Sequence, residues 1–109
     1  MSEFGNLQGL FEAAQRIQSE MARVKTELAA KTVSAETGGG LVRCTANGKG
    51  DVVSLDLDPS LLAPDSRQML IDLTVGAVNL ALDRARQLAQ EEVTKVTGGL
   101  SLPSGLLGG

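Results

Sequence analysis

Few side chains in this chain could do chemistry. None of its 109 residues is histidine, which removes the usual general base, the commonest metal ligand and every Ser-His or Cys-His pairing. Asp56 and Asp58 share one face of an alternating segment, with Glu36 a candidate neighbour. Paired carboxylates can move protons or hold Mg²⁺. The same spacing also describes a solvated acidic face, or acids capping the turn before Pro59. No serine has a base nearby. The lone Cys44 sits mid-strand and reads as a small buried hydrophobe. A single cysteine closes no intrachain disulfide, as expected of a reducing compartment. Gly38-Gly39-Gly40 is followed by neither Lys-Ser nor Lys-Thr nor a helix, so it reads as a turn rather than a phosphate cradle. These patterns predict no enzyme, no metal, no cofactor and no small-molecule substrate.

What remains is charge on two long segments. Arg16, Arg23, Lys25 and Lys31 lie on the first, and Arg84, Arg86 and Lys95 on the second. Arg16 and Arg23 are seven apart and share one helical position; Arg84 and Lys95 share a face, with Arg86 to one side. Each has an ordinary explanation too, since Arg16 with Glu20 and Arg23 with Glu27 are helical i,i+4 pairs. Net charge is −3, whereas a duplex-binding domain is usually overtly basic. The excess of acids is largest in residues 32–59, with four acids against two bases. With only Phe4 and Phe11 as aromatics, no platform for base stacking is expected. Composition and spacing alone do not assign these bases to DNA.

The elements that must carry them follow from periodicity. Residues 32–58 read as three antiparallel strands with glycine turns at 38–40 and 47–50. Val33 and Ala35 should point one way, as should Val42, Cys44 and Ala46. In the last strand Val53, Leu55 and Leu57 alternate with Ser54, Asp56 and Asp58, the mark of a sheet with one buried and one wet face. A helix over 6–31, with Asn6 as N-cap, carries the seam Leu7, Leu10, Ala14, Ile17, Met21, Val24, Leu28. That seam fits either an ordinary core-facing helix or one that packs on another helix. A second helix over 65–97 has Asp65 and Gln68 at capping-box spacing. One of its apolar stripes runs Ile71, Val75, Val78, Leu82, Ala85, Ala89, Val93, Val96, and the other Leu70, Leu73, Ala77, Leu80, Leu88. Apolar residues on two sides need burial on two sides, and a chain this short cannot supply it. The pattern predicts a homodimer with Leu70, Leu73, Val75, Ala77, Val78 and Leu80 at the interface. Gly98-Gly99 should stop the helix, leaving a leucine-bearing tail over 98–109. With no export signal or membrane span legible, a cytoplasmic single-domain α+β protein (α-β-β-β-α) is expected.

Several short stretches in this order resemble the YbaB/EbfC family of bacterial nucleoid-associated proteins. They are Phe4-Gly5-Asn6-Leu7, Gly38-Gly39-Gly40-Leu41-Val42, Gly48, Leu57-Asp58-Pro59-Ser60-Leu61-Leu62, Asp72-Leu73, Ala77-Val78-Asn79-Leu80-Ala81, and Thr97-Gly98-Gly99-Leu100-Ser101-Leu102-Pro103. The resemblance spans essentially the whole chain. It implies a homodimer whose helices project from a central body like the arms of tweezers. It also implies non-catalytic binding of double-stranded DNA in the cytoplasm and nucleoid, influencing nucleoid organisation and gene expression. The seven helix bases, Arg16, Arg23, Lys25, Lys31, Arg84, Arg86 and Lys95, are the contacts it suggests, by helix face alone. The alternative is a dimeric protein-interaction module with little DNA affinity, marked by an exposed apolar patch near Leu100, Leu102, Leu106 and Leu107.

Overall fold

The first segment is rich in alanine, leucine, glutamate, glutamine and arginine, all strong helix formers. It stays helical until the β-branched pair Thr32-Val33, where the chain turns to strand. The structure, a computed structural model, describes residues 2–98, and side chains from Leu7 onward. Helix α1 spans Ser2–Ala30, so Asn6 lies inside it rather than capping it. Its seam is covered only at the C-terminal end. Val24 and Leu28 are buried, and Ile17 and Met21 half-buried, while Leu10 and Phe11 are 64% and 70% exposed. The first half of α1 is therefore an arm that nothing among the described residues packs against, and the molecule is 77 Å long but 27 × 15 Å across.

Strands β1 (Thr32–Thr37), β2 (Val42–Asn47) and β3 (Val52–Leu57) form one antiparallel sheet in that order. Register puts Val33 opposite Ala46, Ala35 opposite Cys44 and Thr37 opposite Val42, so the predicted apolar faces of β1 and β2 coincide. The first turn runs through Gly38, Gly39 and Gly40 with φ of 64°, 68° and 99°, a region open to glycine at no steric cost. In the second, the Asn47 side-chain oxygen accepts from the N–H groups of Lys49 (3.0 Å) and Asp51 (3.1 Å). Gly48 is there for space. Its N–H donates to the carbonyls of Leu28 (2.8 Å) and Lys31 (3.0 Å), satisfying the end of α1.

Strand β3 departs from expectation. Leu57 and Leu55 do pair with Val42 and Cys44, but Ala46 faces Val52 because a bulge takes Val53 out of register. Every residue of β3 remains exposed. The reason lies in α2 (Arg67–Thr97), which packs over β1 and β2 and barely reaches β3. Ala77, Ala81 and Ala85, all fully buried, let its backbone sit low on Ala35, Val42, Cys44 and Ala46. The Thr37 hydroxyl donates to the Leu73 carbonyl (2.6 Å), fixing the helix along β1.

Two short 3₁₀ turns, Pro59–Leu62 and Pro64–Ser66, lead from β3 into α2. The first inserts Leu61, 2% exposed, beneath the helix. The expected capping box does not form. Asp65 falls within the second 3₁₀ turn, Ser66 holds the N-cap position without a side-chain bond, and the Gln68 amide donates to Asp72 instead. At the far end Gly98 has φ −65° and donates to the Thr94 carbonyl, so it continues the helical turn rather than reversing it. Gly99 and the tail, including the proposed patch at Leu100, Leu102, Leu106 and Leu107, lie outside the described residues.

A Cβ on Gly48 would come within 2.9 Å of both the Leu28 Cβ and the Leu28 carbonyl oxygen, neither of which can swing aside as a side-chain tip could. Gly48→Ala is expected to destabilise the fold by ~1–3 kcal/mol, the usual range for overpacking. Urea unfolding monitored by circular dichroism would reveal this as a lowered midpoint at unchanged slope.

Candidate nucleic-acid interface

Most basic side chains of the two helices are already engaged. Arg23 is forked between Glu27 (2.6 Å) and Glu20 on the exposed side of α1. Arg86 lies 3.3 Å from Asp83. Arg84 turns back to the sheet, its guanidinium donating to the Ser34 carbonyl. Lys31 and Lys95 both reach one oxygen of Glu92, at 2.8 and 3.5 Å. Of the seven predicted positions, Arg16, Lys25 and Arg84 make no ion pair among the described residues; Arg84 is held by the Ser34 carbonyl, while Arg16 and Lys25 are exposed on α1 without a side-chain partner. Arg67, at the start of α2, and Lys49, in the β2–β3 turn, are likewise exposed and unpaired among the described residues. The sequence pattern passes over these two because Lys49 lies in a turn and Arg67 stands at the very start of α2, ahead of its projecting half.

Glu92 is a further residue that the two apolar stripes of α2 do not mark. It stands seven residues after Ala85, on the same inward stripe as Ala77 and Ala81, and is 9% exposed. The hydrogen bond from Lys31 lowers its pKa, and the same bond raises that of Lys31. The carboxylate thus ties the end of α1 to α2.

The acidic side chains on the wet face of the sheet are interleaved with a base. Register aligns Glu36, Arg43 and Asp56 in one row across β1, β2 and β3, and Arg43 lies 3.6 Å from Glu36. Arg43 therefore separates the carboxylates that a dyad would need together. Asp58 caps the first 3₁₀ turn, accepting from the Ser60 N–H at 3.0 Å and from the Ser60 hydroxyl. Those bonds, the hydroxyl's above all, lower its pKa. Among the described residues no three His, Cys, Asp or Glu side chains gather as metal ligands, and no helix is long and apolar enough to cross a membrane.

The other notable surface is apolar. Leu55 and Leu57 of β3 with Leu70, Ile71, Thr74 and Val75 of α2 line an open groove of about 340 Å³. Val52, Val53, Leu62, Met69 and Leu80 add exposed apolar area on the same two elements and the turn between them. Of the six residues predicted for a dimer interface, Val75 and Leu80 are exposed, and Leu70, Leu73 and Val78 are half-buried against the core. Ala77 is wholly inside the chain's own core. The buried Thr74 hydroxyl in this groove has no hydrogen-bond partner among the described residues.

The sequence model of the YbaB/EbfC DNA-binding family matches residues 3–100. A nucleoid-associated protein of Acetivibrio thermocellus is 42% identical over 102 residues, covering 94% of this chain and 90% of the relative. One from Thermoanaerobacter sp. (strain X514) is 39% identical over 98 residues, covering 90% and 88%. Among solved structures, an uncharacterized protein from Helicobacter pylori aligns with a TM-score of 0.60 at 22% identity, over 68% of this chain and 86% of that one; this likeness concerns the fold alone. The relatives that match over nearly the whole chain are nucleoid-associated proteins. The chain belongs to the YbaB/EbfC DNA-binding family.

The Lys31–Glu92 tie has a defined pH window. A lowered carboxylate pKa gives stability that is present above the ordinary carboxylate value and lost as pH falls through the lowered one. A raised lysine pKa gives stability that is present below the ordinary lysine value and lost as pH rises through the raised one. The melting-temperature difference between wild type and Lys31→Gln should therefore be flat near neutrality and shrink below about pH 4.3 and above about pH 10.4. A difference that does not change across those limits would contradict the assignment.

Proposed function

We propose that two copies of this chain join through β3 and the first half of α2, and that the dimer binds double-stranded DNA without catalysis. Family membership supports the DNA partner, and relatives at 39–42% identity carry the name nucleoid-associated protein. The observation that carries the reading is helix α1, whose exposed Arg16, on the uncovered arm, and Lys25, nearer the body, have no acidic partner among the described residues. Uncommitted bases on an arm can reach a phosphate backbone without first breaking an internal ion pair. Arg23 and Arg86 contribute as their exposed acidic partners exchange, since ion pairs in water are worth little, and Arg84, Lys31 and Lys95 contribute through the N–H groups that Ser34 and Glu92 leave free.

The dimer is supported by the uncovered groove. A contiguous exposed apolar face of this extent marks a contact surface. A two-fold axis would let Leu55, Leu57, Ile71 and Val75 meet their own copies and offer the Thr74 hydroxyl a partner. With net charge −3 per chain, attraction to DNA is local to the arms. Binding of this kind acts in the cytoplasm on the nucleoid, as an architectural influence on its organisation and on gene expression.

Light scattering should give twice the chain mass for wild type and the chain mass for Leu57→Lys with Ile71→Glu. In a gel shift on random-sequence duplex at about 50 and 200 mM salt, binding should weaken steeply with salt. Arg16→Gln and Lys25→Gln should each reduce that dependence, with Arg84→Gln having the smaller effect. Absence of any shift from micromolar dimer at low salt would sink the DNA reading.

A further inference from the structure

Lys31 and Lys95 lie at the ends of two different helices, far apart in sequence, yet both ammonium groups meet the same oxygen of Glu92. The layering of this cluster is informative. The Glu92 side chain is only 11% exposed, while those of Lys31 and Lys95 are 45% and 73% exposed. The carboxylate is inside and the two cations are outside, so an approaching anion meets two ammonium groups over a recessed acid, a cluster with one positive charge in excess. Glu92 has this position because α2's inward stripe of Ala77, Ala81 and Ala85 continues to it, at the place where α1 ends against the Gly48 N–H.

We propose that Glu92 is a positioning residue for DNA binding, gathering Lys31 and Lys95 into a two-lysine seat for a backbone phosphate at the root of the α1 arm. This rests on the DNA reading above and names a site within it. A lysine side chain is a flexible stem with a point charge at its end, and ordering it at the moment of binding is costly. A shared anchor that orders both beforehand reduces that cost. The phosphate meets the outward-facing N–H groups that Glu92 does not use, since each ammonium carries three. The perturbed pKa values agree, because the lysine contact holds Glu92 ionised and Lys31 protonated.

The test uses a prediction whose sign opposes simple electrostatics. Removing a negative charge from an acidic protein should by itself tighten DNA binding. If Glu92 organises the seat, Glu92→Gln should instead weaken binding several-fold. It should also lower the slope of log K against log salt by about one for each phosphate left without its lysine. In a Lys31→Gln, Lys95→Gln background, where no seat remains, Glu92→Gln should tighten binding, reversing its sign. Circular dichroism melts and light scattering on each variant identify those that stay folded and dimeric. If Glu92→Gln does not fold, Lys31→Gln and Lys95→Gln carry the test: under the proposal each lowers the slope, and the double variant weakens binding by less than the two single effects added. Tighter binding by Glu92→Gln in the wild-type background, or strictly additive lysine effects, would overturn the seat while leaving the DNA reading intact. A wild-type dimer that fails to shift duplex at low salt would overturn both.

Discussion

A single α-helix is about as wide as two β-strands, and the rest of this structure depends on that mismatch. Helix α2 has a diameter of ~10 Å, while three strands at ~4.8 Å spacing present a face wider than one helix covers. The alanines at 77, 81 and 85 press α2 down onto β1 and β2, deepening the contact at the expense of its breadth. Strand β3 is left with its leucines in water. The chain closes a small core of its own and leaves an apolar surface beside it.

The same economy governs charge. Thirteen acids and ten bases could have cancelled across the whole surface, but the fold sorts them. The sheet's wet face carries the row Glu36–Arg43–Asp56, and α1 carries Arg16 out on its uncovered arm with Lys25 exposed nearer the body. Glu92 is drawn inward beneath two lysines. An acidic protein can present a basic surface in this way, because what a phosphate senses within a Debye length is the local arrangement and not the total.

Much of this was legible in the sequence where the signal was periodic. Period two gave the strands and the shared face of Val33, Ala35, Val42, Cys44 and Ala46, and glycine runs marked both turns. The helices were legible from seams of large apolar residues, and that emphasis caused the misreadings. Weighting leucine, isoleucine and valine hid the Ala77–Ala81–Ala85 stripe that actually faces the sheet, and with it Glu92, a polar residue on that stripe. Ala77 was assigned outward and is buried. The capping box at Asp65 and Gln68 matched in spacing, but Pro64 drew the segment into a 3₁₀ turn, where the helical geometry such a box needs is absent.

By itself the sequence determined the order of elements, the turns, the apolar character of both helices and the family, because these depend on residue type at short range. Tertiary structure decided which face of α2 meets the sheet and which strand stays bare. It also decided which bases keep a free charge, since ion pairs such as Lys31–Glu92 join residues 61 apart. No local pattern encodes a partner at that distance; it is set only when α1, the β2–β3 turn and the end of α2 are packed together.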